Sequence, residues 1–417
     1  MSIAAFLTAS PRFLAFGFSA SLFSSFGQTF FISLSGAEIR GAFGLSHGDF
    51  GLVYSAATLT SAGLLVWAGR KIDDVDLRPF TAIVGVGLGI ACLAMTGIGG
   101  MAGSVERYWG VAGLIAVIFA LRFTGQGLMS HVANVSMARY FDAHRGKALS
   151  VAVMGHPAGE AVLPFLVVTA IALIGWRQTW AAAGIAMIVL GVPFLLWLLK
   201  GHGERHRRLV ETAAVRGAAG TVDDWSRRQV LTDPRFHVLL PSFVAMSFIS
   251  TGFFFHQVHL VQTKGWSMAL FAGFFVAFAI AKTLATLAAG ILVDRFGGTR
   301  MMRVYLLPAV VGLVALGITD AAWVGALFMV AIGLTSGLGG VVHGAIWAEL
   351  YGVRHLGAIK AMAAAMMVVS TALSPPVMGL AIDAGTAMET IAAASAVYIL
   401  CAAALVTIAL PRLAARN

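Results

Sequence analysis

The sequence predicts an all-α membrane protein: twelve transmembrane helices in two pseudo-symmetric six-helix bundles. Three observations lead there. Of 417 residues, 59% are hydrophobic and only 11% charged, where a soluble domain carries about 25% charged residues, and the mean hydropathy is +0.89. The apolar residues gather in runs of the roughly 20 residues that a helix needs to cross a bilayer. Lys and Arg collect on alternate connections between those runs. A chain of this length cannot hide so much apolar surface in one globular core. A water-soluble enzyme, a nucleic-acid-binding module and a disordered chain are therefore excluded.

Charges, Gly and Pro punctuate the apolar runs. The predicted spans are 11–34, 46–68, 79–98, 108–136, 148–174, 177–199, 236–261, 268–293, 300–319, 322–349, 358–383 and 388–410. The first span has no small-residue cleavage site near its end and is expected to be a retained helix, not a signal peptide. With the N-terminus placed in the cytoplasm, 22 of the 28 Lys and Arg residues fall on the inner side. Four (Arg40, Arg107, Arg177, Lys264) fall outside, and Arg122 and Lys282 lie within spans. Such a bias sets both termini inside. It also accounts for the net charge of +10 without an acidic partner. Cys92 and Cys401 both lie in apolar runs, which suggests neither a disulfide framework nor a zinc site.

The long polar stretch 200–234 divides the chain into an N-terminal bundle, 1–199, and a C-terminal bundle, 235–417. The halves echo each other. Gly69 to Asp73 follows the second span and Gly290 to Asp294 the eighth, each reading Gly-x-x-x-Asp. Phe141 with Arg145, Gly146, Lys147 and Ala148 resembles Tyr351 through Gly357 and Ala358. Pro164 in the fifth span has counterparts in Pro375 and Pro376 in the eleventh. Internal repetition in a polytopic chain points to a transporter with a site at mid-depth.

These motifs resemble the major facilitator superfamily over essentially the whole chain. Gly69-Arg70-Lys71-Ile72-Asp73-Asp74, with Arg78 beyond, is similar to its gate motif, although Asp74 stands where an Arg is common. The copy from Gly290 to Arg295, with Gly297, lies closer to the pattern. Arg122-Phe-Thr-Gly-Gln126-Gly127 resembles the Arg-containing motif of the fourth helix, and Gly155 and Gly159 before Pro164 resemble that of the fifth. Phe26 to Phe31 and Trp347 to Gly357 are similar to a branch near bacterial monocarboxylate-type transporters, as are Phe254 to Val258 with Gly265-Trp266-Ser267. The same combination resembles a proteobacterial cluster of micronutrient importers, including riboflavin and copper uptake proteins. The resemblance implies gating by Gly69, Asp73, Arg78, Gly290, Asp294 and Arg295.

A charge at mid-depth is costly and is a functional candidate by default. Arg122 is expected to bind an anionic solute or steady a proton-carrying carboxylate; the alternative is a brace between helices. Gln126 lies one turn on, on the same face. Glu160, with His156 one turn before it, suits proton loading and release, or else a fixed ion pair with Arg122. Gly155 and Gly159 would let another helix pack closely there. Lys282 suits a carboxylate, a phosphate or a ring carbonyl. The carboxylate transporters that the chain resembles carry an Arg about a turn nearer the gate, where this chain reads Ala285-Thr286-Leu287. Gln28, His256, His343 and Trp347 are further candidates for lining the solute site. Each of these singly reads rather as a packing residue, although Phe253 to Phe255 or Trp347 could stack a flat ring. Gly333, Gly337, Gly339, Gly340 and Gly344 suggest a closely packed or bending tenth helix.

The expected function is proton-coupled import of a small organic solute, an organic anion or a vitamin such as riboflavin, across a bacterial cytoplasmic membrane. A copper importer is the alternative, since Cu(I) favours thioether and imidazole ligands and Met362 and Met366 share a helix face. Serines flank Met246 at both four-residue neighbours, which weighs against it. No cofactor and no nucleic-acid partner are expected, and the resemblance implies a monomer in the lipid bilayer.

Overall fold

A computed structural model describes residues 10–69, 72, 75–98, 104–141, 145–203, 227–352 and 356–414. Asp73 and Arg354 lie outside the described residues, as do 204–226 of the central stretch. The described residues contain no strand. Eleven of their helices are long and apolar enough to cross a membrane, which marks a multi-pass membrane protein. They are α2 (His47–Ala68), α3 (Leu77–Gly97), α4 (Tyr108–Tyr140), α5 (Gly146–Ile174), α6 (Trp176–Leu198), α7 (Pro234–Phe255), α8 (Met268–Phe296), α9 (Gly298–Ile318), α10 (Ala322–Tyr351), α11 (Ile359–Asp383) and α12 (Met388–Pro411). The predicted bounds agree with these to within a few residues at most ends. The exception at the seventh span is that His256 interrupts it, and a short helix Gln257–Thr263 follows.

The first segment departs from the expectation of one continuous helix. We call it α1, residues 11–43, and it is built of pieces. Pro11–Phe23 is α-helical, Ser24–Gly27 tightens to a 3₁₀ turn, and Gln28 is extended at φ −82°, ψ 155°. Thr29–Ile32, Ser33–Ser35 and Gly36–Phe43 complete it. The polar run Ser24-Ser25-Phe26-Gly27-Gln28-Thr29 sits at the break, where side chains compete with the backbone for hydrogen bonds.

Helix starts follow local sequence. Ser46 and Asp49 form a reciprocal capping box before α2, with Asp49 N donating to Ser46 Oγ at 3.0 Å and Ser46 N to Asp49 Oδ2 at 3.3 Å. Asp76, Asp233 and Ser267 cap α3, α7 and α8 by accepting from Arg78, Arg235 and Leu270 amides. Gly44 and Gly265, at φ 61° and 66°, end the last helical pieces of α1 and of the α7 segment, a conformation that side chains with a Cβ resist.

The chain forms two compact units: residues Met1–Leu45 with Leu52–Ala219, and residues Ser46–Gly51 with Gly220–Asn417. In the first, small residues bring helices together, the usual packing device where lipid offers no hydrophobic drive. A Cβ on Gly184 would stand 2.7 Å from the Gly89 carbonyl, so α3 and α6 meet backbone to backbone. Trp180 of α6 is buried and donates to Ser35 Oγ of α1 at 3.1 Å. In the second unit, α10 packs on α8 through Gly333 and on α9 through Phe328 and Ala331 against Gly312. Lys264 ties its own connection to the one before α10 and to the first turn of α12. Its ammonium lies 2.5 Å from Asp320 Oδ1 and 2.6 Å from Glu389 Oε1. Burial pulls the Lys264 pKa down, but the hydrogen bonds to the two carboxylates outweigh it and hold the pKa above the usual 10.5.

Candidate functional site

The break in α1 is the centre of the first unit's polar interior. At Gly27 the regular ladder stops: Phe31 N and Ile32 N both return to the Gln28 carbonyl, leaving the Gly27 carbonyl for another partner. Arg122 of α4 supplies it, Nη1 donating to Gly27 O at 3.2 Å. The α4 backbone is π-helical from Arg122 to Met129, a local widening often found at functional sites. Gly125 in this stretch meets Gly27 so closely that a Cβ on Gly125 would lie 2.7 Å from the Gly27 Cα.

Arg122 is 2% exposed. Its guanidinium carbon lies 5.1 Å from the Tyr54 ring centre of α2, the hydroxyl of that ring is 2.6 Å from Thr29 Oγ1, and Nε has no hydrogen bond. No ion pair engages Arg122 among the described residues, so the alternative of a fixed pair with Glu160 is not what this structure holds. Gln126 is half-buried on the same π-helical stretch, and Gln28 stands half-buried at the break itself. The structure thus brings Arg122, Gln126 and Gln28 together around one backbone irregularity.

On the other side of α1 lies α5. A Cβ on Gly155 would come within 2.8 Å of Leu22 N and Ser21 Cβ, and one on Gly159 would overlap Ser25 Oγ. The expected close helix partner of these glycines is therefore α1. His156 Nδ1 is 3.4 Å from Ser24 Oγ, and Ser25 Oγ and Ser21 Oγ are buried without partners. Glu160, half-buried, follows Gly159 directly and is held beside this seam.

In the second unit, Lys282 is half-buried on α8, its ammonium 5.3 Å from the Phe278 ring centre. Gly337 of α10 gives it its setting: a Cβ there would overlap the Lys282 carbonyl and lie 2.8 Å from Ala285 Cβ. Thr286 Oγ1, one turn on, donates to the Lys282 carbonyl at 2.8 Å. His343 of α10 is half-buried, with Nε2 3.0 Å from Tyr305 Oη of α9. Trp347 is 1% exposed and packs among Phe236, Phe243 and Tyr351. His256 is 4% exposed and bonds the Pro375 carbonyl at 3.0 Å. Phe253 and Phe255 are buried, against Phe328 and Phe50. In this structure Trp347, His256, Phe253 and Phe255 are thus packed against neighbouring side chains and backbone. Sequence reasoning passed over Tyr54 and Tyr305; the signal was available, since a buried tyrosine hydroxyl needs a partner.

Described residues of the two segments that resemble gate motifs contact neighbouring helices. His131 Nε2 of α4 lies 2.9 Å from the Gly69 carbonyl, and Arg139 donates to the Ile72 carbonyl at 3.4 Å. Arg78 donates its amide to Asp76 Oδ1. In the second unit Asp294 and Arg295 are exposed, with Arg295 5.2 Å from the Phe296 ring centre, and a Cβ on Gly290 would meet nothing within 4 Å. Glu349 of α10, not singled out for this role in the sequence, accepts from Gly298 N at 2.7 Å and Thr299 Oγ1 at 2.5 Å, capping α9 immediately after the gate segment.

Two cavities are lined mainly by apolar residues, and the second reaches the α1 break at Phe26. One of about 470 Å³ lies among Val244, Phe248, Met378, Thr390 and Tyr398, and one of about 520 Å³ among Phe23, Phe26, Met187, Leu190 and Phe194. Both cysteines are free. Among the described residues, no group of three His, Cys, Asp or Glu could hold a metal ion.

Comparison with known proteins agrees with this architecture. The chain is 26% identical over 188 residues to the "Probable sulfoacetate transporter SauU" of Cupriavidus necator, 43% of this chain and 39% of that protein, so it matches less than half of that relative's length. Solved structures of a D-xylose-proton symporter (TM-score 0.69, 15% identity, 95% of this chain and 96% of that one) and of nucleoside transporter NupG (0.63, 14%, 98% of each) share the fold. So does a bacterial homolog of the human lysosomal transporter Spinster, in an inward-facing and occupied conformation (0.66, 15%, 97% and 96%). The family model described as Major Facilitator Superfamily matches residues 17–280, and by that match the chain belongs to the Major Facilitator Superfamily.

Proposed function

We propose that the chain imports a small organic anion together with protons across a bacterial cytoplasmic membrane, by alternating access of its two bundles, with both termini in the cytoplasm. Membership of the superfamily makes it a transporter of small solutes and not an enzyme. The observation that carries the anionic cargo is Arg122: a guanidinium 2% exposed, facing a carbonyl and a ring, with Nε unpaired and no carboxylate bonded to it. A buried cation without a counter-charge is costly, and an arriving anion relieves that cost. Lys282 supplies a second deep cation, on α8. The likeness to a sulfoacetate transporter supports an oxyanion as cargo. Glu160, beside the α1–α5 seam, is the proposed proton carrier on the first bundle, and the segments around Asp73 and Asp294 are the proposed gates.

The test is uptake into proteoliposomes from a panel of sulfoacetate, small carboxylates, riboflavin and Cu(I). Accumulation of an organic anion driven by a pH gradient, reduced at least about tenfold (about 1.4 kcal/mol) by Arg122→Gln, is the expected result. Glu160→Gln is expected to allow exchange but not uphill accumulation. Uptake of riboflavin or copper with silence for every anion overturns the reading.

A further inference from the structure

Three residues of the second unit form a chain with one possible direction. Tyr305 of α9 lies in the core, and its hydroxyl donates to the Ser242 carbonyl of α7 at 2.5 Å. A carbonyl can only accept, so the single phenolic proton is committed to Ser242. The same oxygen lies 3.0 Å from His343 Nε2 and, its proton spent, can only accept there. Nε2 must therefore carry hydrogen, which in a neutral imidazole leaves Nδ1 as a bare acceptor. Nδ1 makes no hydrogen bond among the described residues and is not among the buried unpaired atoms. Phe243 covers one side of the ring, with centroids 4.3 Å apart. The helix surface next to it is open: a Cβ on Gly340, one turn before His343, would meet nothing within 4 Å.

The place of His343 in the repeat adds an independent observation. Gly44 and Gly265 end equivalent pieces at nearly equal φ. Ser46 and Ser267 begin the next helices, and Gly69 and Gly290 mark the gates. All three pairs are separated by the same interval in sequence, and that interval carries Arg122 onto His343. Each residue is linked to a carbonyl of its bundle's first helix, Arg122 directly to Gly27 and His343 through Tyr305 to Ser242. Where the first bundle carries a permanent cation, the second carries a group that becomes one by taking a proton.

We propose that His343 Nδ1 is a proton-binding site of the second bundle, and that the imidazolium formed there is the group that hydrogen-bonds the carboxylate or sulfonate of the anionic solute. The proton joins the Nδ1 lone pair, and Nε2–H stays on Tyr305. No carboxylate is bonded to the ring. The titratable group bonded to it is Tyr305 from α9, and the cation of a neighbouring helix placed beside this turn is Lys360 from α11, whose ammonium is 3.9 Å from a Cβ on Gly344. Glu349, further along α10, is committed to Gly298 and Thr299. By linkage, solute and proton bound at this ring raise each other's affinity by one and the same factor.

The anion part of this inference rests on the proposed function; the proton part does not, and the experiment separates them. In the full-length protein labelled with ¹⁵N-histidine, the His343 resonances are those lost in His343→Gln. The expected result without any solute is an Nε2–H tautomer whose Nδ1 titrates while the protein stays folded, and mixed tautomers in Tyr305→Phe, which needs no substitution at 343. An Nδ1–H tautomer in the wild type, or no change in Tyr305→Phe, overturns the proton site. With sulfoacetate as probe, the His343 midpoint is expected to rise, and counterflow by His343→Gln to lose its pH dependence. A counterflow pH profile equal to wild type overturns the coupling role even if the tautomer is as described.

Discussion

Gly27→Ala should disable the first bundle out of proportion to one methyl group. The added Cβ would overlap the Leu121 carbonyl and stand 2.6 Å from Gln126 N and 2.8 Å from Gly125 Cα. All three are backbone atoms, so no rotamer change relieves them. Reaching ordinary contact demands a separation of roughly 1 Å between α1 and the π-helical stretch of α4. The Arg122–Gly27 bond starts at 3.2 Å, and that movement carries it out of hydrogen-bonding range. Overpacking costs about 1–3 kcal/mol and loss of a hydrogen bond to a charged group about 1.5–3 kcal/mol, so about 2.5–6 kcal/mol is expected in all. The matched control is Gly63→Ala on α2, where a Cβ meets nothing within 4 Å; it should be neutral or stabilising by up to about 1 kcal/mol. The assay is unfolding in mixed detergent micelles, with sulfoacetate counterflow alongside. If Gly27→Ala unfolds with the free energy of Gly63→Ala and transports as wild type does, the account of the α1 break is wrong.

Two further predictions concern packing and pH. Gly159→Ala should destabilise by about 1–3 kcal/mol by overpacking, because its Cβ overlaps Ser25 Oγ. Ser25→Ala alone should be nearly neutral, since that hydroxyl is buried without a partner, and it should rescue most of the loss in the double variant; strict additivity in the cycle would count against the contact. Lys264 should govern the alkaline limb of stability. Its folded pKa lies above the usual 10.5, so its contribution is whole below about pH 10.5 and is lost as pH rises through the folded value. Lys264→Met should lower stability at neutral pH by about 2 kcal/mol, as for charged hydrogen bonds, the 70% exposure of Asp320 limiting the loss. It should also flatten the alkaline decline; a decline of unchanged steepness would refute the role.

Which parts of this structure were legible in the sequence follows from their physical range. Span positions came through because bilayer thickness imposes a length and water imposes a composition on every crossing. The caps Ser46, Asp76, Asp233 and Ser267 are local chemistry and readable as such. The break at Gln28 was not read, because a hydropathy window averages over it; the unusual run of Ser24, Ser25, Gly27, Gln28 and Thr29 was its only trace. The π-helical stretch of α4 left no trace, since a widened turn adds one residue without changing composition. Arg122 was found by its cost in lipid, but its partner Gly27 is a carbonyl, which every residue has. The Lys264 tie joins two connections and a helix start that are far apart in sequence, and only the folded chain brings them together. Aromatic and imidazole groups such as Trp347 and His256 look alike in sequence whether packed or open, and only the folded chain shows that both are buried in this structure.

The α1 break also bears on how the protein is made. The Gly27 carbonyl has its partner 95 residues later in the chain. At translation rates of about 5–20 residues per second, that residue emerges roughly 5–20 s afterwards. Until then the first segment carries an unpaired carbonyl and a polar kink into the bilayer, where such groups cost several kcal/mol. The Gly27 turn of α1 is thus completed only after α4 has been made. Until α4 arrives, the polar break is the part of α1 that a membrane insertase or chaperone would have to shelter during synthesis.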